Sequence, residues 1–216
     1  MCAVIGMHNS NSHVDMLMFA KMMKQSMVRG KHATGIAWVE NGSVETFIMA
    51  EPASKFRMPE IKTNTIIGHC RYSTSDLAYN QPIHDKDLAV VHNGVITQSS
   101  PETWHQTYGM SFKTKCDSEI MLRTWEKDTH ALHLKGSMAA LLIDARQKNA
   151  LHFFRNEQRP LYYSVSGATV HIASTKDILK RSGIRSCLKA KCCVDYQISD
   201  GALIEVKVRD ALEDLQ

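Results

Sequence analysis

Residues 137–173 read SMAALLIDARQKNALHFFRNEQRPLYYSVSGATVHIA, and the rhythm of this stretch decides the fold class. Ser137 to Ala145, Ala150 to Phe154, Leu161 to Val165 and Thr169 to Ala173 are β-branched and aromatic runs separated by turn-rich segments, the pattern of successive strands. Toward the C-terminus a helix is expected over Thr175 to Arg181 and a further strand over Ala202 to Val208. Toward the N-terminus, Thr34 to Glu40 and Val44 to Ala50 flank Asn41-Gly42, a hairpin signal because both turn residues tolerate positive φ. Ala3 to Met7, Ile66 to His69 and Leu88 to His92 are shorter buried strands, and the Asn/Ser-rich residues 8–13 read as a loop. Apolar spacing from Val14 to Val28 predicts a core helix, with Gly30 where a helix stop would stand. Ser118 to Asp128 is a second helix, with Ile120, Met121 or Leu122, and Trp125 on one face. Helices flanking runs of strands imply a layered α+β domain built on antiparallel sheets.

Composition sets the outer limits. With 216 residues, 44% hydrophobic and 22% charged, the chain reads as one compact domain over residues 1–216, and the tail from Arg209 is too short for a second. The net charge of +4 is spread without a single-sign block or a basic stripe, so nucleic-acid binding gains no support. Lys180, Arg181, Arg185, Lys189 and Lys191 form a local basic cluster that reads as a solvated surface. The start of the chain has neither a basic leader nor an unbroken apolar run, which argues against a secretory signal or a membrane span. Six cysteines in such a chain, two of them adjacent, fit reduced thiols and a cytoplasmic location.

Five segments carry residues suited to chemistry. Cys2 follows an initiator Met that can be trimmed, which leaves a thiol (pKa about 8.5) and an α-amine (pKa about 8) on one residue, a nucleophile with its own base. Taken alone, it reads more economically as the small apolar start of a strand. Arg29-Gly30 and Gly35 lie in a segment able to turn tightly or approach a ligand; Gly30 is equally a plain helix stop. Arg71, in Gly68-His69-Cys70-Arg71-Tyr72-Ser73-Thr74, could clamp a carboxylate with Thr74 adding a hydrogen bond, or be a surface arginine. Asn93 and Gly94, in His92-Asn93-Gly94, could present an amide and a backbone N–H from an exposed turn as an oxyanion hole, or be only a turn. Asp117 could cap the helix that follows it or hold an ammonium group.

The order of these elements is more specific than any one of them. An N-terminal Cys, Arg-Gly with Gly five residues on, Gly-His-x-Arg-Tyr-Ser-Thr, Gln81-Pro82-Ile83, His-Asn-Gly and Asp117-Ser118-Glu119 follow one another, and Arg159-Pro160-Leu161-Tyr162-Tyr163, Ile172-Ala173-Ser174 and Asp200-Gly201 continue the series. This sequence resembles the class II glutamine amidotransferases along nearly its whole length. The resemblance implies an N-terminal-nucleophile hydrolase fold of four αββα layers with two stacked antiparallel sheets, and hydrolysis of glutamine to glutamate and ammonia through a Cys2 thioester. It assigns Asn93 and Gly94 to the oxyanion hole, Arg71 and Thr74 to the substrate carboxylate and Asp117 to its ammonium. Arg29 and Gly30 would line the nucleophile end.

It also implies that no metal or organic cofactor is required, and that ammonia goes to a separate acceptor, or synthase, protein; a homo-oligomer stays open. Two positions depart from the family pattern: Ala3 where Gly is usual after the nucleophile, and His32 where an acidic residue is usual. Two other readings compete. One is a hydrolase of γ-glutamyl compounds with the same nucleophile, and the other is a catalytically vestigial regulatory module. A structural zinc site lacks support, because no two cysteines have Cys-x-x-Cys spacing.

Overall fold

A computed structural model describes residues 1–73, 78–147, 150–199 and 201–208. The first half of the chain forms β1 (Ala3–Asn9), α1 (Met16–Ser26), β2 (Ala33–Glu40), β3 (Ser43–Met49), β4 (Thr65–Arg71), β5 (Ile83–His84), β6 (Leu88–Val95) and α2 (Pro101–Tyr108). The second half forms α3 (Ser118–Glu126), β7 (Ser137–Asp144), β8 (Ala150–Arg155), β9 (Tyr162–Ser166), β10 (Thr169–Ala173), α4 (Lys176–Arg181), β11 (Leu188–Lys189), β12 (Val194–Ser199) and β13 (Ala202–Lys207). The strands assemble into a seven-stranded sheet, β11-β9-β10-β1-β4-β2-β3, and a six-stranded sheet, β13-β12-β8-β7-β6-β5. Their strand pairs are antiparallel.

Period-two alternation explains why the strands read as unbroken apolar runs. In β7 all eight residues are buried: Ala139, Leu141 and Ile143 meet the other sheet, while Met138, Ala140 and Leu142 turn outward beneath α3. In β1, Val4 joins the core between the sheets, and Ala3, Ile5 and Met7 pack under α1 and α4. Phe19, Met22 and Met23 of α1 and Ile178 and Leu179 of α4 complete that outer layer. Ile120, Met121, Leu122 and Trp125 of α3 and Trp104 of α2 cover the six-stranded sheet. The result is the four-layer αββα, α+β architecture.

An aromatic cluster ties the sheets together at the β8–β12 end. Phe153 stacks on Tyr196 (centroids 4.7 Å apart, 8° between planes) and tilts against Tyr163 of the opposite sheet at 5.4 Å. The buried Tyr196 hydroxyl accepts the Lys191 N–H at 2.9 Å, so this ring enters the core without an unmet polar group.

Several boundaries differ from expectation. The first helix is shorter than Val14–Val28 because Asp15 caps it, accepting the Leu17 and Met18 N–H groups at 2.9 and 3.1 Å. It ends before Gly30, which is not a helix stop: a Cβ there would overlap the Cys70 backbone of β4, so glycine permits close approach of the two chain segments. β1 continues through His8 and Asn9, expected as loop, because His8 and Asn9 still pair with β10. The strand expected from Leu161 begins at Tyr162. α2 and β12 were not expected at all. α2 follows Ser100 with proline in its first turn and ends at Gly109 in the left-handed region. The hairpin turns at Asn41-Gly42 as expected, both at positive φ (50° and 78°). The basic cluster is exposed, and Lys191 pairs with Glu205. The six cysteines are free thiols. Among the described residues, no helix is long and apolar enough to cross a membrane.

Candidate active site

Strand register brings the first group of residues together. Ala3 of β1 faces Cys70 of β4, so Cys2 and Arg71 are the next pair outward, and Ala33 of β2 faces Arg71 from the other side. The Cys2 thiol, partly exposed, donates a 3.8 Å contact to the Tyr72 carbonyl. Arg29 Nε donates to the Cys2 carbonyl at 2.9 Å and its Nη2 reaches Met1 Sδ at 3.6 Å. Gly30 lets the segment carrying Arg29 lie against β4. Met1 itself is 67% exposed. Arg71 Nη1 donates to Asn80 Oδ1 at 2.8 Å and to the Tyr79 carbonyl, so its guanidinium is steadied by the chain that enters the six-stranded sheet.

The two departures from the family pattern have a structural reading. Ala3 is fully buried in the layer beneath α1, where its methyl has packing partners. His32 Nδ1 accepts the Ser73 N–H at 2.9 Å, and its ring lies 5.0 Å from Tyr72. An acceptor for a backbone N–H is a task that a carboxylate oxygen or a neutral imidazole performs equally.

The second group comes from the six-stranded sheet. Asn93 and Gly94 are not on an exposed turn: they continue β6 and pair with Ala139 and Met138 of β7. Local Asn-Gly turn preference is overridden by this ladder. Asn93 is 2% exposed, and its Nδ2 is a buried donor without a hydrogen-bond partner. A Cβ at Gly94 would overlap the Ser137 carbonyl oxygen. On the opposite edge of β6, the Gln81 side chain imitates a strand, accepting the His92 N–H at 2.5 Å and donating to the His92 carbonyl at 3.1 Å. Alternation along the strand then points the Gly94 N–H to the same open edge as that of His92.

Asp117 stands at the start of α3 but its side chain makes no cap; Oδ2 instead accepts the Ile96 N–H at 2.6 Å. His92 ties the start of α3 to the start of β7: its Nδ1 meets Ser118 Oγ and its Nε2 the Ser137 carbonyl, each at 3.1 Å. Burial pushes the His92 imidazole below its ordinary value; Asp117 and the Ser137 carbonyl oppose that shift and Arg159 adds to it. Burial holds His69 down to about 3, and pushes the Cys70 and Cys116 thiols up to about 12 and about 11.

Thus Cys2, Arg29, Gly30 and Arg71 gather beside β1 and β4 of the seven-stranded sheet, while Asn93 and Gly94 lie in β6 of the other sheet with Asp117 at the start of α3. Thr74 and Asp200 lie outside the described residues. Gln81 and Arg159 gain parts that motif reading did not give them. Gln81 was visible only within Gln-Pro-Ile. Arg159 influences both Arg29 and His92, and its Nε is buried without a partner.

Comparison with known proteins bears on the family and the fold. The profile of a family described as glutamine amidotransferase domain matches residues 69–181, just over half of the chain. Glutamine--fructose-6-phosphate aminotransferase from Oceanobacillus iheyensis is 24% identical over 235 aligned positions, covering 96% of this chain and 39% of that protein. The Helicobacter pylori protein of the same name is 25% identical over 203, covering 83% and 33%. The chain therefore spans between a third and two fifths of the length of these curated relatives. Among solved structures, glutamine phosphoribosylpyrophosphate amidotransferase from B. subtilis superposes with a TM-score of 0.80 at 19% identity, covering 95% of this chain and 49% of that one. A glutamine aminotransferase class-II domain protein from Silicibacter pomeroyi gives 0.61 at 12% identity, covering 96% and 99%. With its stacked sheets, its ordered motifs and a profile match over half its length, the chain belongs to the class II glutamine amidotransferase domain family.

Proposed function

We propose that this chain is a single amidotransferase domain over residues 1–216 that hydrolyses glutamine through a thioester on Cys2. With Met1 removed, the Cys2 α-amine takes the thiol proton as sulfur attacks the side-chain amide carbon. Asn93 Nδ2 and the Gly94 N–H hold the tetrahedral oxyanion. Collapse expels ammonia, protonated on leaving by the same amine, and water cleaves the thioester to release glutamate. Arg71, with Thr74, binds the α-carboxylate and Asp117 the α-ammonium, so that a free amino acid is selected by a charge at each end. Arg29 and Gly30 hold the Cys2 backbone in place. The curated relatives' names join glutamine to fructose-6-phosphate; for this chain the proposal is that ammonia passes to an acceptor carried by a separate protein.

The observation that carries this reading is Asn93: an amide donor buried inside a strand with no partner of its own. A buried donor left unmatched is costly unless something arrives to accept from it. The test is to incubate Met1-processed protein with glutamine and measure glutamate and ammonia. Cys2→Ala, and an N-terminal extension that blocks the α-amine, are both expected to abolish turnover, while Cys116→Ala retains it. Full activity in the blocked protein overturns the N-terminal-base mechanism.

A further inference from the structure

A pocket of about 220 Å³ opens on the α3 side of the six-stranded sheet, with Trp125, Asp128, His130, Arg146, His152 and Asp195 in its wall. It is separate from the Cys2 site. Asn93 pairs with Ala139 near the start of β7, whereas His152 pairs with Leu142 further along and with Gln197 of β12.

The proton positions in the pocket follow from its hydrogen bonds. The Asp195 carboxylate can only accept, and its Oδ2 takes His152 Nδ1 and Gln197 Nε2, each at 3.0 Å, with His130 Nε2 at 3.4 Å. The Leu132 N–H donates to His130 Nδ1 at 3.0 Å, so a neutral His130 keeps its proton on Nε2, facing Asp195. A neutral His152 keeps its proton on Nδ1. With both imidazoles neutral, His152 Nε2 and Asp195 Oδ1 are acceptors without donors, on side chains only 3% and 1% exposed, and the His130 Nε2 proton, though 3.4 Å from Asp195 Oδ2, makes no full hydrogen bond there. Burial alone would raise the Asp195 carboxyl, but the imidazole N–H groups of His130 and His152 outweigh it and hold the group below the ordinary carboxylate range.

Charge and shape narrow the ligand. Arg146 is committed to Asp144 through Nε at 2.9 Å and Nη2 at 2.7 Å, so it does not neutralise the pocket. Asp195 and the exposed Asp128 leave the wall negative. Trp125 already donates its indole N–H to Asp144 Oδ2 at 3.0 Å and offers the pocket only ring surface, a surface that favours cations. Among the described residues, no three His, Cys, Asp or Glu side chains are placed to hold a metal ion. At ~30 Å³ for each water-sized group, the volume admits about seven of them.

We propose that this pocket binds a compact organic cation with at least two N–H donors, a primary ammonium or a guanidinium, that bridges Asp195 Oδ1 and His152 Nε2 against the Trp125 ring. The full chain is titrated with methylguanidinium chloride and with ethylammonium chloride at constant ionic strength, following ¹H–¹⁵N resonances. A saturable shift of the Trp125 indole N–H, assigned by its disappearance in Trp125→Phe, is expected, with no such response to neutral N-methylurea. Asp195→Asn weakens binding by about tenfold or more, since it removes a buried charge, and Asp128→Asn at the exposed rim by about twofold. If Asp195→Asn does not fold, the Asp128→Asn variant and the methylurea comparison decide. Unsaturable shifts equal to those from sodium chloride, equal binding of N-methylurea, or affinity unchanged in the folded variants overturn the proposal.

Discussion

In the seven-stranded sheet the candidate site residues stand at the start of one strand and the end of another, part-exposed and held by residues of the loops: Cys2 by the Arg29 side chain and the Tyr72 carbonyl, Arg71 by the Tyr79 carbonyl and the Asn80 side chain. In the six-stranded sheet they stand within or beside a strand that side chains brace. Gln81 pairs with His92, Ser137 Oγ accepts the Val95 N–H, and Asp117 accepts the Ile96 N–H. On the proposed mechanism, the first half is the one that is reached and reacts, and the second stays rigid while charge develops against it. The proposed chemistry then draws on residues of both layers.

The most severe test of that division is to loosen the stacking itself. Phe153→Ala, at the aromatic cluster between the sheets, is expected to cost about 3–5 kcal/mol in urea unfolding, while the folded fraction keeps its glutamine turnover, since the ring stands on β8, separated by β7 from Asn93 of β6. Loss of turnover in protein that remains fully folded would show that stacking tunes the site as well as supporting it. Within the site, Asn93→Ala should lower kcat by about 10²–10³ with KM little changed, a loss of about 2.7–4 kcal/mol in the transition state. Arg71→Lys should instead raise KM, about tenfold, by removing two-pronged carboxylate binding. If both variants move the same constant, the division between binding half and rigid half fails.

Acid stability gives the smallest and finest contrast. Burial holds His8 of β1 at about 4 and His69 of β4 at about 3, below the free value of 6.5. Between those values and 6.5 the unfolded chain binds protons that the folded chain refuses, so stability rises with pH and falls on acidification. Each group contributes about 1.4 kcal/mol per pH unit in that window. Thermal or urea melts of His8→Gln between pH 6.5 and pH 4 should show a slope shallower by about that amount. An unchanged slope would mean that His8 accepts a proton without disturbing β1.

Much of the architecture was open to reading because both faces of each sheet are covered. A strand such as β7, buried on every residue, leaves an unbroken apolar signature, and the helices over it keep their own spacing. β12 escaped because Asp195 and Gln197 interrupt its pattern, and those polar residues belong to a pocket that only the folded sheet creates. α2 escaped because Trp104 alone among its residues is buried. The ordered motifs identified the candidate site residues, but not their settings. That Asn93 sits in a ladder with β7, and that Gly30 is glycine for the sake of the Cys70 backbone, depends on segments remote in sequence.

The side-chain pairing of Gln81 has a consequence beyond the site. Beyond its pairing with β5, β6 continues with no neighbouring strand on that side among the described residues, the kind of edge that, left uncovered, can recruit another chain. Gln81 closes the first rung of that edge with an amide that cannot be extended into a longer ladder. The next N–H outward, that of Gly94, is the one the proposed mechanism gives to the oxyanion, so the same cap that stops a protein strand would leave room for a small guest.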